Sequence, residues 1–129
     1  MRKNKIPLEK VQKAFNDAIK RRDCRCMVSE HIEPCGGQLE ASHFFTVGAN
    51  PTLRFYPPNC YAQCQHHHWL HHNVKEKFYE WYLLIYHEQD LIKMQKLRHC
   101  IIKYTDELKA EIIKLCNEDK LDELTERIE

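Results

Sequence analysis

Cysteine and histidine are concentrated in the middle of the chain, in a pattern typical of metal binding. The chain has seven Cys and nine His, and most of both lie between positions 24 and 72. Thiolate sulfur and imidazole nitrogen are the usual donors of a tetrahedral structural zinc site. The N-terminal segment shows no apolar stretch typical of a secretory signal, and in such a chain clustered Cys and His indicate metal rather than disulfides. The sequence therefore predicts a fold that depends on zinc.

The spacing of these residues suggests which four hold the zinc. Cys64 and His67 are separated by two residues, the geometry of a zinc knuckle, and form the stronger half of the pattern. For the other half we favour Cys26 and Cys35, since Cys35 precedes a flexible pair of glycines, with Cys24 as the substitute. The alternative is a set of buried thiols, because free cysteine is among the most buried residue types.

A second group of polar residues could perform acid–base chemistry. His43 ends a predicted strand, Asn59 lies in a turn after two prolines, and His68 and His72 are four residues apart. Residues at this spacing share one face of a helix and can present two nitrogens to a single cation. The neighbouring His66 and His71 are interpreted as bystanders that face solvent.

The order of strand histidine, loop asparagine and helix histidine around a Cys/His knuckle resembles the HNH nucleases. The closer similarity is to the phage recombination endonucleases called NinG or Rap, over about residues 20–118. The pieces that carry it are Ala41-Ser42-His43-Phe44, Leu53-Arg54-Phe55, Asn59, Gln63-Cys64, and His67 in the place of the knuckle's second cysteine.

This resemblance implies a small α+β fold, a zinc-braced ββα-metal core that is treble-clef-like, and a metal-dependent DNA endonuclease. A hairpin and a helix would grip one catalytic divalent cation, Mg, Mn or another transition metal, beside the structural zinc. His43 would be the general base, Asn59 would orient it, and His68 and His72 would bind the cation. An imidazole suits the base role because its pKa is near neutrality. The substrate implied is branched or recombination-intermediate DNA.

The sequence departs from the HNH pattern at the metal. Many HNH enzymes place Asp or His directly before the base, whereas this chain has Ser42, and Glu40 on the same strand face is a candidate replacement. His68 and His71 stand where the family has Asn and Lys. An imidazole-rich site favours a transition metal over Mg. The alternative function is a non-catalytic zinc module that binds nucleic acid or a protein partner.

Charge is distributed unevenly along the chain. Residues 1–25 have nine Lys and Arg against three acids, a net +6, whereas residues 76–129 have nine against thirteen, a net −4. A basic segment can bind phosphates even when the molecule is nearly neutral, although a solvated helix explains the charges equally well. The predicted nucleic-acid contacts are Arg21, Arg22, Arg25, Arg54, Lys75 and Lys77.

The elements that must position these residues can be outlined from hydrophobic spacing. We expect one domain over 1–129: a basic helix over 7–22, a zinc-bound HNH-like core over 23–73 and a helical extension over 74–129. Within the core, residues 24–28, 38–45 and 52–56 have the composition of strands, and the first two should form a hairpin. A short helix should end at Asn73, and Thr105 should cap a later helix.

Composition excludes several classes of protein. No apolar run reaches the roughly 18 residues that a membrane span requires, and three glycines are too few for a glycine-rich phosphate loop. We therefore expect a cytoplasmic protein with no membrane partner, and the resemblance implies that a phage or prophage encodes it. Aromatic residues in the extension indicate core packing or a homodimer; they are Phe78, Trp81, Tyr82 and Tyr86.

Overall fold

A two-stranded sheet and five helices make up the part of the chain that the computed structural model describes, residues 5–28, 34–74, 76 and 88–129. The strands are β1 (Leu39–His43) and β2 (Cys60–Cys64). The helices are α1 (Leu8–Asp23), α2 (Gln65–Asn73), α3 (Glu88–Leu97), α4 (Asp106–Asn117) and α5 (Leu121–Ile128). Two short 3-10 turns, Pro51–Leu53 and Pro57–Asn59, lie between the strands. The α+β class that the sequence predicts is confirmed.

Helix α1 packs against both strands of the sheet, and the sequence predicts it well. Its residues at helical spacing, Val11, Phe15, Ala18 and Ile19, are all fully buried. Pro7 precedes the helix as its N-cap residue, and Cys24 follows it as the C-cap residue, with a left-handed φ of 64°. The buried face packs against α4, which makes α1 the element that joins the sheet to the extension.

The strand pairing differs from the predicted one. β1 lies within the expected 38–45 segment, but it pairs antiparallel with β2, with Leu39 opposite Cys64 and His43 opposite Cys60. The predicted strand at 24–28 is a turn, and the one at 52–56 contains a 3-10 turn. β2 escaped detection because four of its five residues are buried, which removes the alternation by which a half-exposed strand is recognised.

The segment at 23–28 nevertheless contacts the sheet, on the free edge of β2. The carboxylate of Asp23 accepts a hydrogen bond from the backbone N–H of Ala62 at 2.8 Å. The N–H of Met27 donates to the carbonyl of Ala62 at 2.9 Å. Residue 62 thus has both backbone groups satisfied without a third strand.

Helix α2 begins directly after β2, and a cap residue defines where it starts. The Cys64 sulfur caps the helix by accepting from the N–H of His67 at 3.4 Å, and the helix ends at Asn73 as predicted. In the extension, Thr105 caps α4 through the N–H of Leu108, again as predicted. The four aromatic residues proposed for packing or dimerisation lie outside the described residues. None of the described helices has the length and apolar content needed to cross a membrane.

Candidate metal centres and active site

Four side chains converge at the point where α2 follows β2. The Nδ1 atom of His67 lies 3.2 Å from the sulfur of Cys64, 3.3 Å from that of Cys26 and 3.7 Å from that of Cys35. All four donor atoms lie within 4.8 Å of one another. Ligands of a tetrahedral zinc are separated by roughly 3.5–3.8 Å, because Zn–S is about 2.3 Å and Zn–N about 2.0 Å. The cluster could therefore hold a structural metal such as zinc.

Each half of the cluster is positioned by a local backbone feature. The second half comes from the cap of α2, which places His67 one turn after Cys64. The first half is held against it because Gly36 donates its N–H to the Cys64 sulfur at 3.4 Å and accepts from the N–H of His66. Gly37 has a φ of +86°, and a Cβ there would lie 2.3 Å from a side-chain oxygen of Gln65. Only glycine fits this approach of the two halves.

The surroundings of Cys64 and Cys35 shift the pKa values of their thiols in opposite directions. Burial alone would raise the pKa of Cys64, but the N–H groups of Gly36 and His67 and the neighbouring thiols outweigh it and lower the pKa. Desolvation and the adjacent Cys26 and Cys64 raise the pKa of Cys35 to about 12. Crowded thiols resist joint ionisation unless a cation neutralises them, so this donor set suits a metal.

The other cysteines lie outside this cluster. Cys24, the predicted substitute, is exposed, and its sulfur lies 2.9 Å from the carbonyl of Arg21. Cys60 and Cys116 are buried, and burial raises the pKa of Cys116 to about 12. Cys100 is exposed in the turn after α3, although free cysteines are usually buried.

The pair His68 and His72 lies on α2, one turn apart as the spacing predicts. Their Nε2 atoms are 3.1 Å apart, and Glu40 Oε1 lies 2.8 Å from His68 Nδ1. Because a carboxylate accepts, the Nδ1–H of His68 donates to Glu40, and its Nε2 faces His72. Two Nε2 atoms this close share a proton or a cation. Glu40 thus orients His68, the role usual for the carboxylate partner of a metal-ligating histidine.

No third donor completes this pair among the residues that the structure describes. The zinc-type cluster is the one group there of three or more Cys, His, Asp or Glu whose donor atoms meet. A cation on His68 and His72 would keep most of its coordination positions for water and phosphate.

His43 is held at the end of β1 in one defined orientation. Its Nε2 lies 2.9 Å from the backbone carbonyl of Arg54, so Nε2–H must donate and Nδ1 carries the lone pair. The ring stacks on Phe15 with centroids 6.0 Å apart. Burial lowers the pKa of His43, and the positive charges of Arg54 and His68 lower it further. The imidazole is therefore neutral near pH 7, with its lone pair on Nδ1.

Asn59 is fully buried and fastens the loop that carries the Arg54 carbonyl. Its side-chain oxygen accepts from the N–H of Phe45, and its amide donates to the carbonyls of Phe45 and Leu53. Asn59 does not bond to His43 itself. Its predicted orienting effect would therefore pass through the loop backbone.

The side chain of Ser42 links β1 to α2 and is not exposed as a metal ligand. Ser42 is buried, and its Oγ lies 2.9 Å from Nδ1 of His71. The interpretation of His71 as a solvent-facing bystander was wrong, since only 9% of this residue is exposed. The sequence did contain a signal, because position 71 falls one helical turn after His67.

The predicted nucleic-acid contacts separate into two groups. The Arg21 guanidinium is paired with Asp119 at 2.8 Å. Arg22 bonds to Asp23 and to two backbone carbonyls and lies over the Tyr61 ring. Arg54 lies nearest to His43, and its Nε donates to Gln12. Arg25 is exposed, and Lys75 and Lys77 lie outside the described residues.

Comparison with known proteins gives one family and no single relative. The family model described as "Bacteriophage Lambda NinG protein" matches residues 1–125. No curated protein matches the chain, and no solved structure does.

Proposed function

This chain belongs to the NinG family, and on that premise we propose that it is a zinc-braced, metal-dependent DNA endonuclease of the HNH superfamily. The reaction would be hydrolysis of a phosphodiester bond, with His43 as general base. The preference for branched or recombination-intermediate DNA is supported by the resemblance to phage recombination endonucleases. Action on DNA in the host cell corresponds to the expected cytoplasmic location.

The observation that carries the proposal is the orientation of His43. The bond from Nε2–H to the Arg54 carbonyl leaves Nδ1 as a neutral base, and burial keeps it unprotonated at pH 7. In the proposed reaction, Nδ1 takes a proton from water while the resulting hydroxide attacks phosphorus and the P–O bond to the leaving oxygen breaks.

His68 and His72 would provide the positive side of the site. A divalent cation bound there would polarise the phosphate and stabilise the charge on the leaving oxygen. Glu40 holds the His68 ring so that Nε2 faces His72, and two imidazole donors favour a transition metal such as Mn over Mg. The separate Cys26, Cys35, Cys64 and His67 cluster would hold zinc and fix α2 on β2.

Arg54 is the arginine best placed to contact a phosphate next to the scissile bond. Its backbone carbonyl bonds to His43, and among the residues that the structure describes its side chain makes one hydrogen bond, to Gln12. Arg21 and Arg22 donate within the fold, where they stabilise the ends of α1 and β2. Phosphate contacts position the duplex and read no sequence, so we propose a site selective for DNA shape.

The proposal is tested by incubating supercoiled plasmid and branched oligonucleotides with the protein in Mg or Mn. Wild type should nick, and EDTA should stop the reaction. His43→Ala should lose activity by roughly 100-fold or more, the scale of general-base catalysis. Lys114→Ala is the control, because Lys114 is an exposed residue on α4. A fully active His43→Ala protein with native zinc content would refute the assignment of the base.

One observation favours a second candidate function, a non-catalytic zinc module that binds nucleic acid or a protein. Ser42 stands where many HNH enzymes have a metal ligand, and its hydroxyl is engaged with His71. The same assay separates the two functions. A mobility shift of branched DNA without nicking, in every metal tried, would support the binding module.

A further inference from the structure

The connection between α3 and α4, residues 98–105, lies against the loop 44–59 that carries the Arg54 carbonyl. Two of its contacts are to neighbouring residues of the loop. The Tyr104 hydroxyl donates to the carbonyl of Pro51 at 2.6 Å, and the Thr52 hydroxyl donates to the carbonyl of Cys100 at 2.6 Å. These bonds hold the 3-10 turn that immediately precedes Arg54.

Arg98 holds a third point of the same loop. Its Nε donates to Oδ1 of Asn50 at 2.9 Å, and its guanidinium lies 4.7 Å from the centre of the Phe45 ring. On the other side of Arg54, the Phe55 ring meets the Tyr104 ring edge-on at 5.2 Å. The connection therefore contacts the loop before and after the residue whose carbonyl orients His43.

The loop depends on such contacts because it contains no long regular element. Its two 3-10 turns are three residues each, and the remainder is bend and turn. Asn59 fastens it from inside through Phe45 and Leu53, and Arg98 and Tyr104 fasten it from outside. The Arg54 carbonyl is fixed between these two sets of bonds, and the orientation of His43 follows from it.

We infer that Arg98 and Tyr104 are positioning residues for His43, which makes the helical extension part of the active-site apparatus as well as of the core. They act through the Arg54 carbonyl and touch neither DNA nor cation. The catalytic consequence rests on the proposed nuclease function, but the effect on His43 does not.

Kinetics test the catalytic part with Tyr104→Phe, Arg98→Ala and Arg98→Lys. Tyr104→Phe removes one hydroxyl and keeps the ring on Phe55. A base displaced by a fraction of an ångström should lower kcat roughly 10- to 100-fold, with KM, DNA affinity and melting temperature nearly unchanged. Arg98→Lys should retain more activity than Arg98→Ala, since an ammonium can still bond to Asn50 and lie over Phe45.

The matched control for these variants is Arg127→Ala. Arg127 pairs with Glu111 on the exposed surface of the extension, and within the described residues its side chain makes no hydrogen bond to the loop. It should cleave at the wild-type rate. A loss of activity in Arg127→Ala equal to that in Arg98→Ala would overturn the inference, since the effect would then be general to the extension.

An NMR measurement tests the inference without cleavage. Long-range ¹H–¹⁵N spectra report the imidazole tautomer, and a His43→Asn spectrum identifies the His43 signals. Wild type should show His43 protonated at Nε2, and Tyr104→Phe and Arg98→Ala should show a mixture of tautomers. If wild type does not nick DNA, the nuclease proposal fails while this measurement still decides the positioning role. An unchanged His43 spectrum in both variants overturns the inference, whatever their activity.

Discussion

The chemistry available to the residues of this chain depends on which nitrogen of each imidazole is protonated. His43 and His68 each have one nitrogen committed to an oxygen acceptor, the Arg54 carbonyl and the Glu40 carboxylate. In His43, whose pKa is lowered, the opposite nitrogen keeps its lone pair. His67 directs Nδ1 at three sulfurs, and its Nε2 is buried with no hydrogen-bond partner among the described residues. His43, His67 and His68 therefore differ in the partners of their two ring nitrogens.

The His43 ring should titrate below the ordinary value of 6.5. Burial disfavours its charged form, and Arg54 and His68 add repulsion, so the pKa is lowered. As pH falls below about 6.5, His43 is protonated in the unfolded chain but not yet in the folded one. The free energy of unfolding therefore decreases until the pH reaches the lower pKa of the folded state. Above 6.5 this contribution is fully present.

NMR titration of the His43 ring, assigned with the His43→Asn variant, would measure this shift. The acid limb of the cleavage rate should follow the same pKa. A midpoint at or above 6.5 would contradict the proposed burial and charge effects.

At the scale of elements, the sheet is completed by a side chain in place of a third strand. Asp23 closes α1, has a side chain only 5% exposed, and accepts from the Ala62 N–H on the outer edge of β2. Arg22 adds a bond to the carbonyl of Cys60 at 2.7 Å. The end of one helix therefore fixes the strand from which α2 and its metal ligands follow.

Asp23→Ala should lower the free energy of unfolding by about 1–3 kcal/mol, because it leaves the Ala62 N–H without its acceptor and removes the carboxylate partner of Arg22. Asp23→Asn keeps an acceptor and should cost less. Chemical denaturation in the presence of zinc measures both. Asp17→Ala is the matched control, since Asp17 pairs with Lys13 on the exposed face of α1 and should contribute less than about 1 kcal/mol. Equal losses in Asp23→Ala and Asp17→Ala would show that Asp23 does not secure the strand.

At the scale of the whole molecule, α1 connects two regions that stabilise the fold. One is the apolar contact of α1 with α4 and α5, and the other is the Cys and His cluster at the sheet. A metal bound to that cluster would add to the stability of the sheet region. A homodimer through the extension stays a proposal, and sedimentation equilibrium would test it.

Metal removal should unfold the sheet region. Structural zinc contributes about 10–16 kcal/mol in small domains, which matches or exceeds the usual 5–15 kcal/mol of total stability. Elemental analysis should find about one tightly bound zinc per chain. Cys64→Ser and His67→Ala should lose it.

Cys24→Ser is the control that should keep the zinc, since Cys24 lies outside the cluster. Circular dichroism before and after chelation measures the folding change. A metal-free protein with the native spectrum and melting temperature would contradict a structural role for the metal.

The sequence by itself determined the features that depend on near neighbours. The buried face of α1, the Thr105 cap and the Cys64–His67 knuckle arise from residues within a few positions of one another. The tertiary structure alone decided the features that join distant segments, because a contact between residues far apart leaves no local period. Among these are the pairing of β2 with β1, the exclusion of Cys24 in favour of Cys26, the burial of His71 against Ser42, and the tautomer of His43, set by a backbone carbonyl eleven residues away.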